Sequence, residues 1–260
     1  MAFHFSDSHI ESFFTHGYTV FKGIIPDALL TRLRAEAEKA RQIAHRESGH
    51  QAQRLQPLHK YDALDWKPFQ EFGELPGLRD ALTRVLSPRH QFGTTDGLGI
   101  LFEPVESPYC TAWHRDWRDN GGPASKQNWF RADWESHQLD HAYFNQVNCP
   151  LYEDSSTWVV PGSHLRKDLA GEAEWFRGRE RAPVTTGKTS EEAERICAAY
   201  CHGMPGAQRL HLEPGDFALY RNCLWHLGCY VPYRRRATLV DFVDTPEYAT
   251  WREAVQKRAA

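Results

Sequence analysis

Apolar residues in the first third of the chain recur at the spacing of an α-helix. Leu29, Leu30 and Leu33 lie on one face of the segment 27–45, where alanines are interspersed among charged residues. Pro26 stands near the start of this segment, a position that a helix tolerates because its first N–H groups have no intrahelical partner. The pattern predicts an amphipathic helix that begins close to Pro26.

Shorter elements are predicted on both sides of this helix. Ser6 is a suitable N-cap for a helix that Gly17 would end, because glycine readily adopts the left-handed conformation found after helices. The alternating, β-rich segment 18–25 predicts a strand. A further helix begins near Pro76, carries its apolar residues on one face and is ended by Pro88.

From about residue 91 the pattern changes to short apolar runs separated by Gly, Pro, Asp and Asn, which are typical of an antiparallel sandwich or barrel. One helix interrupts these runs, starting at a capping box of Thr189 and Glu192 and ending at Gly203. The predicted strands occupy residues 98–104, 141–149, 156–162, 210–220 and 236–243. Helices first and strands later indicate an α+β fold with a mainly β core. We expect a single domain over residues 1–260.

Composition narrows the class of protein. Hydrophobic residues make up 41% and charged residues 25% of the 260 residues, as in an ordinary soluble globular protein. Aromatic residues reach 13%, which favours a β protein with a cavity. The net charge of -3 and the lack of a long basic run argue against nucleic acid as a partner. No apolar stretch is long enough to predict a membrane span.

The cysteines and the N-terminal residues predict a compartment. The first residues lack the basic and apolar regions of a secretory signal, and the cysteines form no C-x-x-C pair. We therefore expect free thiols and a cytoplasmic protein. The six cysteines are Cys110, Cys149, Cys197, Cys201, Cys223 and Cys229.

The segment "TAWHRDW" carries the first candidate for chemistry. Its His114 and Asp116 would project to one face of a strand, because residues i and i+2 do so. Two ligands do not fix a catalytic metal, and His226, which follows a predicted strand, is the third that we expect. Two histidines and one carboxylate on one side of an octahedral ion leave three positions open, which suits non-haem Fe(II).

Other interpretations of these residues are open at this point. An H-x-D pair also occurs on exposed strands without any metal. The chain has 14 histidines, and several could replace His226 as the third ligand or be ordinary surface residues. The alternatives are His137, His141, His164, His202 and His211.

Three consecutive arginines, Arg234, Arg235 and Arg236, precede the last predicted strand. If the strand alternation extends to them, the middle one faces opposite to the outer two. They could form a solvated basic edge that discourages edge pairing. Alternatively, one of them points inward and forms a bidentate pair with a carboxylate.

The order of these motifs resembles the phytanoyl-CoA dioxygenase-like branch of the Fe(II)/2-oxoglutarate oxygenases. The similar runs are "FFTHGYTVFKGIIPDALLTRLR", "WHRD", "VVPGSH", "PGDFALYRNCLWH" and "RRATLVDF". The resemblance covers most of the chain, with 117–142 and 166–207 as variable insertions. It implies a double-stranded β-helix, or jelly-roll barrel, flanked by the N-terminal helices.

The resemblance also implies cofactors and residue roles. Fe(II), 2-oxoglutarate and O₂ would be used, with iron on His114, Asp116 and His226. Arg235 matches best the arginine that binds 2-oxoglutarate, and Arg236 is second. The carboxylate of Asp116 favours oxygenation over halogenation, because related halogenases usually carry a small residue there.

Departures from the family pattern raise two further questions. Arg115 stands where many members have glutamine. Leu227 and Gly228 replace a Gly-Ser pair whose serine can assist in binding 2-oxoglutarate, so Thr111 is our candidate for that second contact. His164, in the turn "PGSH", is expected to be structural.

We therefore expect an oxygenase that hydroxylates or otherwise oxidises an unactivated C–H bond of a small or mid-sized organic molecule. The aromatic residues of the first insertion, with Arg118 and Arg131, could line a pocket for an acidic substrate or could pack the insertion onto the barrel. These aromatic residues are Trp117, Trp129, Phe130 and Trp134. Two alternatives are a non-catalytic jelly-roll binding module and a zinc hydrolase with the same three ligands.

Overall fold

The computed structural model describes residues 3–93, 97–120, 124–172 and 182–259. Parts of both expected insertions, 121–123 and 173–181, lie outside the described residues. The described helices are α1 (Asp7–His16), α2 (Asp27–Ser48), α3 (Lys67–Gly73), α4 (Pro76–Val85), α5 (Asn128–His137), α6 (Ser190–Gly203) and α7 (Pro246–Ala259). None of them is both long and apolar enough to cross a bilayer.

The strands form two antiparallel sheets. The first has the order β1-β8-β5-β10-β3-β2 and the second the order β4-β9-β6-β7. Their bounds are β1 (Tyr18–Phe21), β2 (Arg54–Leu55), β3 (Gly99–Phe102), β4 (Tyr109–Cys110), β5 (Asn145–Pro150), β6 (Thr157–Val159), β7 (Gln208–Arg209), β8 (Phe217–Arg221), β9 (His226–Tyr230) and β10 (Ala237–Phe242). The mixed helical and antiparallel architecture confirms the expected combination of helices and a β core.

The N-terminal helices cover one face of the six-stranded sheet. Leu30 and Leu33 of α2 and Leu82 of α4 are buried in the same apolar cluster as Val147 of β5 and Leu239 of β10. Burial of apolar surface is the main driving force for this packing. Alternate residues of β5 and β10 are therefore committed to this core, and their neighbours face the other side of the sheet.

Local sequence signals fixed the helix ends well. The first helix has Ser6 as N-cap, and Gly17 follows it with φ of 85°, in the left-handed region. The helix at 190–203 has the expected capping box, in which the Thr189 side chain accepts from the Glu192 N–H. These predictions are confirmed because each depends only on neighbouring residues.

Elements that the sequence patterns did not predict include α3, α5, α7 and strand β9. The helix α5 falls within the first expected insertion, and β9 begins at His226 itself. The two-residue strands β2, β4 and β7 were also missed, because two residues show no measurable alternation. Their pairing is decided by the neighbouring strands of the sheet.

Candidate metal centre

The two candidate histidines are cross-strand partners. An isolated antiparallel bridge pairs His114 with His226, and each backbone N–H donates to the other residue's carbonyl at 3.1 and 3.0 Å. Their ring centroids are 4.2 Å apart. This pairing continues the ladder of β4 and β9, in which Cys110 faces Cys229. Backbone hydrogen bonds of the second sheet therefore place both imidazoles side by side.

Asp116 reaches the same point through a turn and not through regular strand alternation. Its N–H donates to the carbonyl of Asn222 at 2.9 Å, and the chain turns directly after the bridge at His114. Trp117 follows with φ of 66°, a left-handed conformation that is uncommon for a bulky residue. The expectation that the two residues converge is therefore met by a different backbone geometry from the one expected.

The three side chains converge on one point. Nε2 of His114 lies 3.3 Å from Oδ1 of Asp116, and Nε2 of His226 lies 3.8 Å from Oδ2. All three potential ligand atoms lie within 4.8 Å of one another. Among the described residues, no other group of three or more histidine, cysteine or carboxylate side chains has its potential ligand atoms this close together. Two nitrogens and one oxygen in this arrangement could hold a divalent first-row metal.

Hydrogen bonds determine which ring nitrogen of each histidine is available to bind a metal. Nδ1 of His114 lies 2.8 Å from the carbonyl of Ala112, and Nδ1 of His226 lies 3.0 Å from the carbonyl of Leu224. A carbonyl can only accept, so each Nδ1 carries the proton and donates. In the neutral tautomer each Nε2 then presents its lone pair to the convergence point, as metal-binding histidines require.

Electrostatics keep the carboxylate charged and one imidazole neutral. Burial would raise the pKa of Asp116, but the His226 charge and the hydrogen bond from His114 lower it to about 2. Burial and the charge of His114 lower the pKa of His226 to about 4. Burial also opposes the charging of His114, yet its hydrogen bond to Asp116 raises its pKa. Metal binding would therefore displace one proton, held between His114 and Asp116.

Asn120 orients the carboxylate. Its Nδ2 donates to Oδ1 of Asp116 at 2.6 Å, while its Oδ1 accepts from the N–H of Trp117 at 2.8 Å. The side chain thereby connects the ligand to the turn that follows it. Asn120 had no signal in the sequence, because its role depends on the shape of that turn.

A cavity of about 540 Å³ opens beside the three ligands. Its wall includes Gln146 and Asn148 of β5, which alternate with the core residues Val147 and Cys149. The lining residues are Arg54, Leu101, Thr111, His114, Asp116, Trp117, Asn120, Gln146, Asn148, Thr157, Tyr220, His226, Leu227, Gly228, Tyr230, Arg236, Phe242 and Gln256.

Arg236 lines the cavity, and Arg235 does not fit the role expected for it. Arg235 is exposed and pairs with Glu38 at the surface, with Glu103 3.5 Å away. Arg236 is only 8% exposed, and its Nε donates to Oδ2 of Asp154 at 2.9 Å. The three arginines directly precede β10, which begins at Ala237, and Arg235 and Arg236 have opposite surroundings, as strand alternation predicts.

Contacts along β10 show which of its positions face the cavity. Phe242 lines the cavity and Thr238 donates to Asp154, as Arg236 does, so even-numbered positions face inward. Odd-numbered positions such as Leu239 are buried in the core on the opposite face. The predicted alternation of the middle arginine against the outer two therefore holds, and Arg235 had been selected by its place in the family pattern, not by this alternation.

Thr111 and Tyr230 flank the site near Arg236. Thr111 lines the cavity, and its Oγ1 accepts from the N–H of Gly228 at 3.0 Å. A Cβ added at Gly228 would lie 1.8 Å from the Tyr230 hydroxyl, so the ring folds over this glycine. The Arg236 guanidinium lies 4.7 Å from the centroid of the same ring. Burial raises the pKa of Tyr230, which keeps its hydroxyl protonated as a donor.

Arg115 points away from the metal centre and is fully buried. Its Nη1 donates to the carbonyls of Ser163 and Cys223 at 2.8 and 2.7 Å, and its Nη2 lies 3.0 Å from Oδ1 of Asp168. It therefore ties the turn after β6 to the segment that leads into His226. The residue between the two proposed metal ligands therefore holds segments of the chain together.

The other candidate histidines have different surroundings. Nε2 of His164 bonds with the carbonyl of Phe14 at 3.2 Å, and a Cβ at Gly17 would come within 2.5 Å of its ring. His211 is exposed beside Glu213, and His202 packs edge-on against Trp158. These contacts are structural, as expected for His164.

Most of the aromatic residues of the first insertion pack the protein together. Phe130 and Trp134 are buried with Tyr248 and Trp251 of α7, and Trp129 packs against this cluster. Trp117 also contacts the cluster but reaches the cavity. The arginines of this insertion, proposed above as contacts for an acidic substrate, are paired with carboxylates of the chain itself. Arg118 pairs with Asp119 and Asp168, and the exposed Arg131 pairs with Glu135.

Comparison with known proteins identifies similar folds but no sequence family. No family model matches the chain, and no curated protein matches it. Among solved structures, AviO1 from Streptomyces viridochromogenes is 16% identical with a TM-score of 0.61 and covers 95% of this chain and 98% of its own. HygX from Streptomyces hygroscopicus, solved with nickel and 2-oxoglutarate, is 14% identical with a TM-score of 0.60, covering 93% and 88%.

A third similar structure is the epimerase SnoN in complex with Fe³⁺, α-ketoglutarate and nogalamycin RO. It is 15% identical with a TM-score of 0.54 and covers 92% of this chain and 83% of its own. Identities this low establish similarity of fold alone. The chain therefore shares the fold of proteins crystallised with a metal ion and 2-oxoglutarate, and it places two histidines and one aspartate at a single convergence point within that fold.

Proposed function

We propose that this protein is an Fe(II)- and 2-oxoglutarate-dependent oxygenase that oxidises an unactivated C–H bond of a small or mid-sized organic molecule, releasing succinate and CO₂. The observation that carries the proposal is the group of His114, Asp116 and His226 at a cavity whose wall also holds the buried Arg236. Folds similar to this one bind a metal and 2-oxoglutarate. The two sheets around the site support the predicted jelly-roll core within one domain.

The donor set fits iron. Two neutral imidazoles and one carboxylate would occupy one face of the ion and leave positions for 2-oxoglutarate and O₂. When bound, iron and 2-oxoglutarate supply the oxidising power, through oxidative decarboxylation of the co-substrate. The protein keeps both Nδ1 protons on backbone carbonyls, so that the Nε2 lone pairs of His114 and His226 stay directed at the metal.

Arg236 is our proposed partner for the far carboxylate of 2-oxoglutarate. Asp154 accepts from its Nε, and a planar guanidinium has further N–H donors for a carboxylate. The hydroxyl groups of Tyr230 and Thr111 lie beside this position and could take the place of the serine that the family carries. We prefer Tyr230 as the second contact because its ring packs directly against Arg236.

The substrate would occupy the opposite end of the cavity. Arg236 and Phe242 are six residues apart on one face of β10, which corresponds to about 20 Å at the usual rise of a strand. The wall near Phe242 also contains Trp117, Asn120 and Gln256. Aromatic and amide groups of this kind suit a neutral, oxygen-rich organic molecule, and they would exclude water from the reacting C–H bond.

The decisive experiment measures 2-oxoglutarate binding and turnover on the same protein. Anaerobic addition of Fe(II) and 2-oxoglutarate should produce the visible charge-transfer absorption of a chelated keto acid, and admission of O₂ should yield succinate. Asp116→Ala and His226→Ala should lose both signals. The exposed His211→Ala serves as the matched control and should keep them.

The outcomes separate the alternatives. If neither metal nor 2-oxoglutarate binds, the protein is a non-catalytic module and the proposal is wrong. If zinc binds tightly but the keto acid does not chelate the metal, a hydrolase is favoured. Full turnover by either ligand variant would also overturn the assignment.

A further inference from the structure

Four of the six cysteines converge at a second place, away from the candidate iron centre. Cys110 ends β4 and Cys229 lies directly opposite it on β9. Cys197 and Cys201 lie on α6, four residues apart and hence on one helix face. Each helix thiol contacts both strand thiols. We refer to these residues as the thiol cluster: Cys110, Cys197, Cys201 and Cys229.

The surroundings of the thiol cluster are apolar and closed. Cys110, Cys197 and Cys201 are at most 3% exposed and belong to one hydrophobic cluster, against which Cys229 packs. Three tryptophans, Trp113, Trp158 and Trp225, belong to the same cluster. All four cysteines are free thiols, so none is committed to a disulfide.

We propose that the thiol cluster binds one structural Zn²⁺ ion through four sulfur ligands. Structural zinc sites have tetrahedral, closed coordination and can use four cysteines, typically with two to four residues between the members of a pair, and Cys197-x-x-x-Cys201 has this spacing. The strand pair would supply the other two ligands. Binding would displace the protons that the four thiols still carry, and it forms no bond to water or substrate.

Hydrogen bonds within the thiol cluster prepare two of its four sulfurs for metal binding. The backbone N–H of Cys110 donates to the sulfur of Cys197, an interaction that stabilises thiolates. Hydrogen bonds from the strand thiols lower the pKa of Cys197 and Cys201, whose thiolates are the form that binds metal, and raise the pKa of Cys110 and Cys229. The two strand thiols would therefore lose their protons only as the ion binds. His202 also lies close enough to lower the pKa of Cys201.

The four sulfurs of the thiol cluster lie farther apart in this structure than they would around a zinc ion. A tetrahedral site with Zn–S bonds of about 2.3 Å places the sulfurs about 3.8 Å apart. Among the described residues, no three of these sulfurs all lie within 4.8 Å of one another. The ion would therefore draw α6 toward the pair of strands.

The consequence concerns the candidate iron centre. The strand β9 carries both His226 and Cys229, and the chain after Cys110 leads through Thr111 to His114. The helix α6 already holds this segment, since the Trp113 N–H donates to the Tyr200 hydroxyl at 3.2 Å. Zinc would fix α6 to the two strands and thereby stiffen the bridge that positions both histidines.

The test is the metal content of the full-length protein. Zinc is measured by plasma mass spectrometry in the Asp116→Ala/His226→Ala variant, in which the other centre cannot hold it. We expect one zinc ion per chain. Adding Cys197→Ser and Cys201→Ser should remove it. Adding Cys149→Ser and Cys223→Ser, at two buried cysteines outside the cluster, should leave it in place.

A spectroscopic measurement on the otherwise unaltered chain does not depend on the folding of a cysteine variant. Reconstitution with Co²⁺ should give the intense visible bands and sulfur-to-metal charge transfer of a tetrahedral tetrathiolate. Zinc-free protein without these bands would overturn the proposal, as would intact-mass evidence that the four cysteines form disulfides. Because the readout is metal content, failure here is distinguishable from failure of the proposed oxygenase activity.

Discussion

At the scale of single residues, two neighbours with the same side chain have different surroundings. Arg236 is enclosed by Asp154 and the Tyr230 ring, whereas Arg235 extends to Glu38 at the surface. Burial makes a charge-assisted hydrogen bond stronger, and a bidentate arginine adds specificity that lysine cannot supply. The proposed contact with 2-oxoglutarate therefore depends on one position in the arginine run.

We predict that Arg236→Lys raises the dissociation constant for 2-oxoglutarate by about tenfold or more, which corresponds to about 1.4 kcal/mol. The matched change Arg235→Lys should alter it by less than about twofold, since an exposed arginine gives weak interactions. Titration of the anaerobic Fe(II) protein with 2-oxoglutarate measures both. Equal effects of the two substitutions would contradict the assignment of Arg236.

A second residue-scale prediction concerns Asp241, a buried residue of β10. Burial raises the pKa of this carboxyl to about 7, although the N–H groups of Phe242 and Gly93 donate to it. In the unfolded chain the carboxyl ionises near pH 4. Between about pH 4 and 7 the folded state thus holds a proton that the unfolded state lacks, so stability falls as the pH rises.

We expect Asp241→Asn to remove this part of the pH dependence. From pH 5 to pH 8 the parent protein should lose about 3 kcal/mol of stability relative to the variant, because about two of the three pH units between the unfolded and folded pKa values lie in this interval. Urea unfolding at the two pH values measures the difference. Asp80→Asn, at an exposed position on α4, is the control. An unchanged pH slope in the Asp241 variant would show that the carboxyl is already ionised in the fold.

At the scale of elements, Arg115 joins segments that are distant in sequence. Its donors reach Ser163 after β6, Cys223 before β9, and Asp168. Breaking a buried, fully bonded charge leaves its partners unsatisfied and is strongly destabilising. This residue therefore stabilises the arrangement of strands that brings His114 and His226 together.

We predict that Arg115→Met lowers the free energy of unfolding by about 3 kcal/mol or more and weakens metal binding. The control is Arg131→Met, because Arg131 is exposed and pairs only with Glu135 within its own helix among the described residues; it should cost less than about 0.5 kcal/mol. Denaturant unfolding and a metal titration measure both properties. Similar losses in the two variants would mean that Arg115 has no special role.

The ends of the helices show which features neighbouring residues in the sequence are enough to predict. Ser6, Gly17 and the capping box at Thr189 act on backbone groups within a few residues, and the helices begin and end there. Strand β9 was missed because His226 begins it directly after a turn. Its pairing with β4 and β6 depends on contacts across the sheet.

At the scale of the whole molecule, the proposed ligands should stabilise the fold, because the residues proposed to bind them come from several elements of both sheets. The candidate ligands and Arg236 come from the segment after β4, from β9 and from the start of β10. A ligand that binds only the folded state adds stability according to its concentration relative to the dissociation constant.

We therefore expect Mn²⁺ with 2-oxoglutarate, each at about 100 times its dissociation constant, to raise the melting temperature by about 5 to 10 °C. The Asp116→Ala variant should show no rise from the pair. Thermal unfolding followed by circular dichroism measures this effect. A rise of equal size in that variant would place the binding elsewhere on the molecule.

The sequence by itself determined the helix ends and the general α+β character, because these follow from local periodicity, and the order of its motifs, through their resemblance to a known family, singled out His114, Asp116 and His226 as candidates. Tertiary structure decided which arginine faces inward, that Arg115 is a buried clamp, and that four cysteines meet. The physical reason is that facing, burial and convergence depend on strand pairing between distant segments, and no local pattern specifies that pairing.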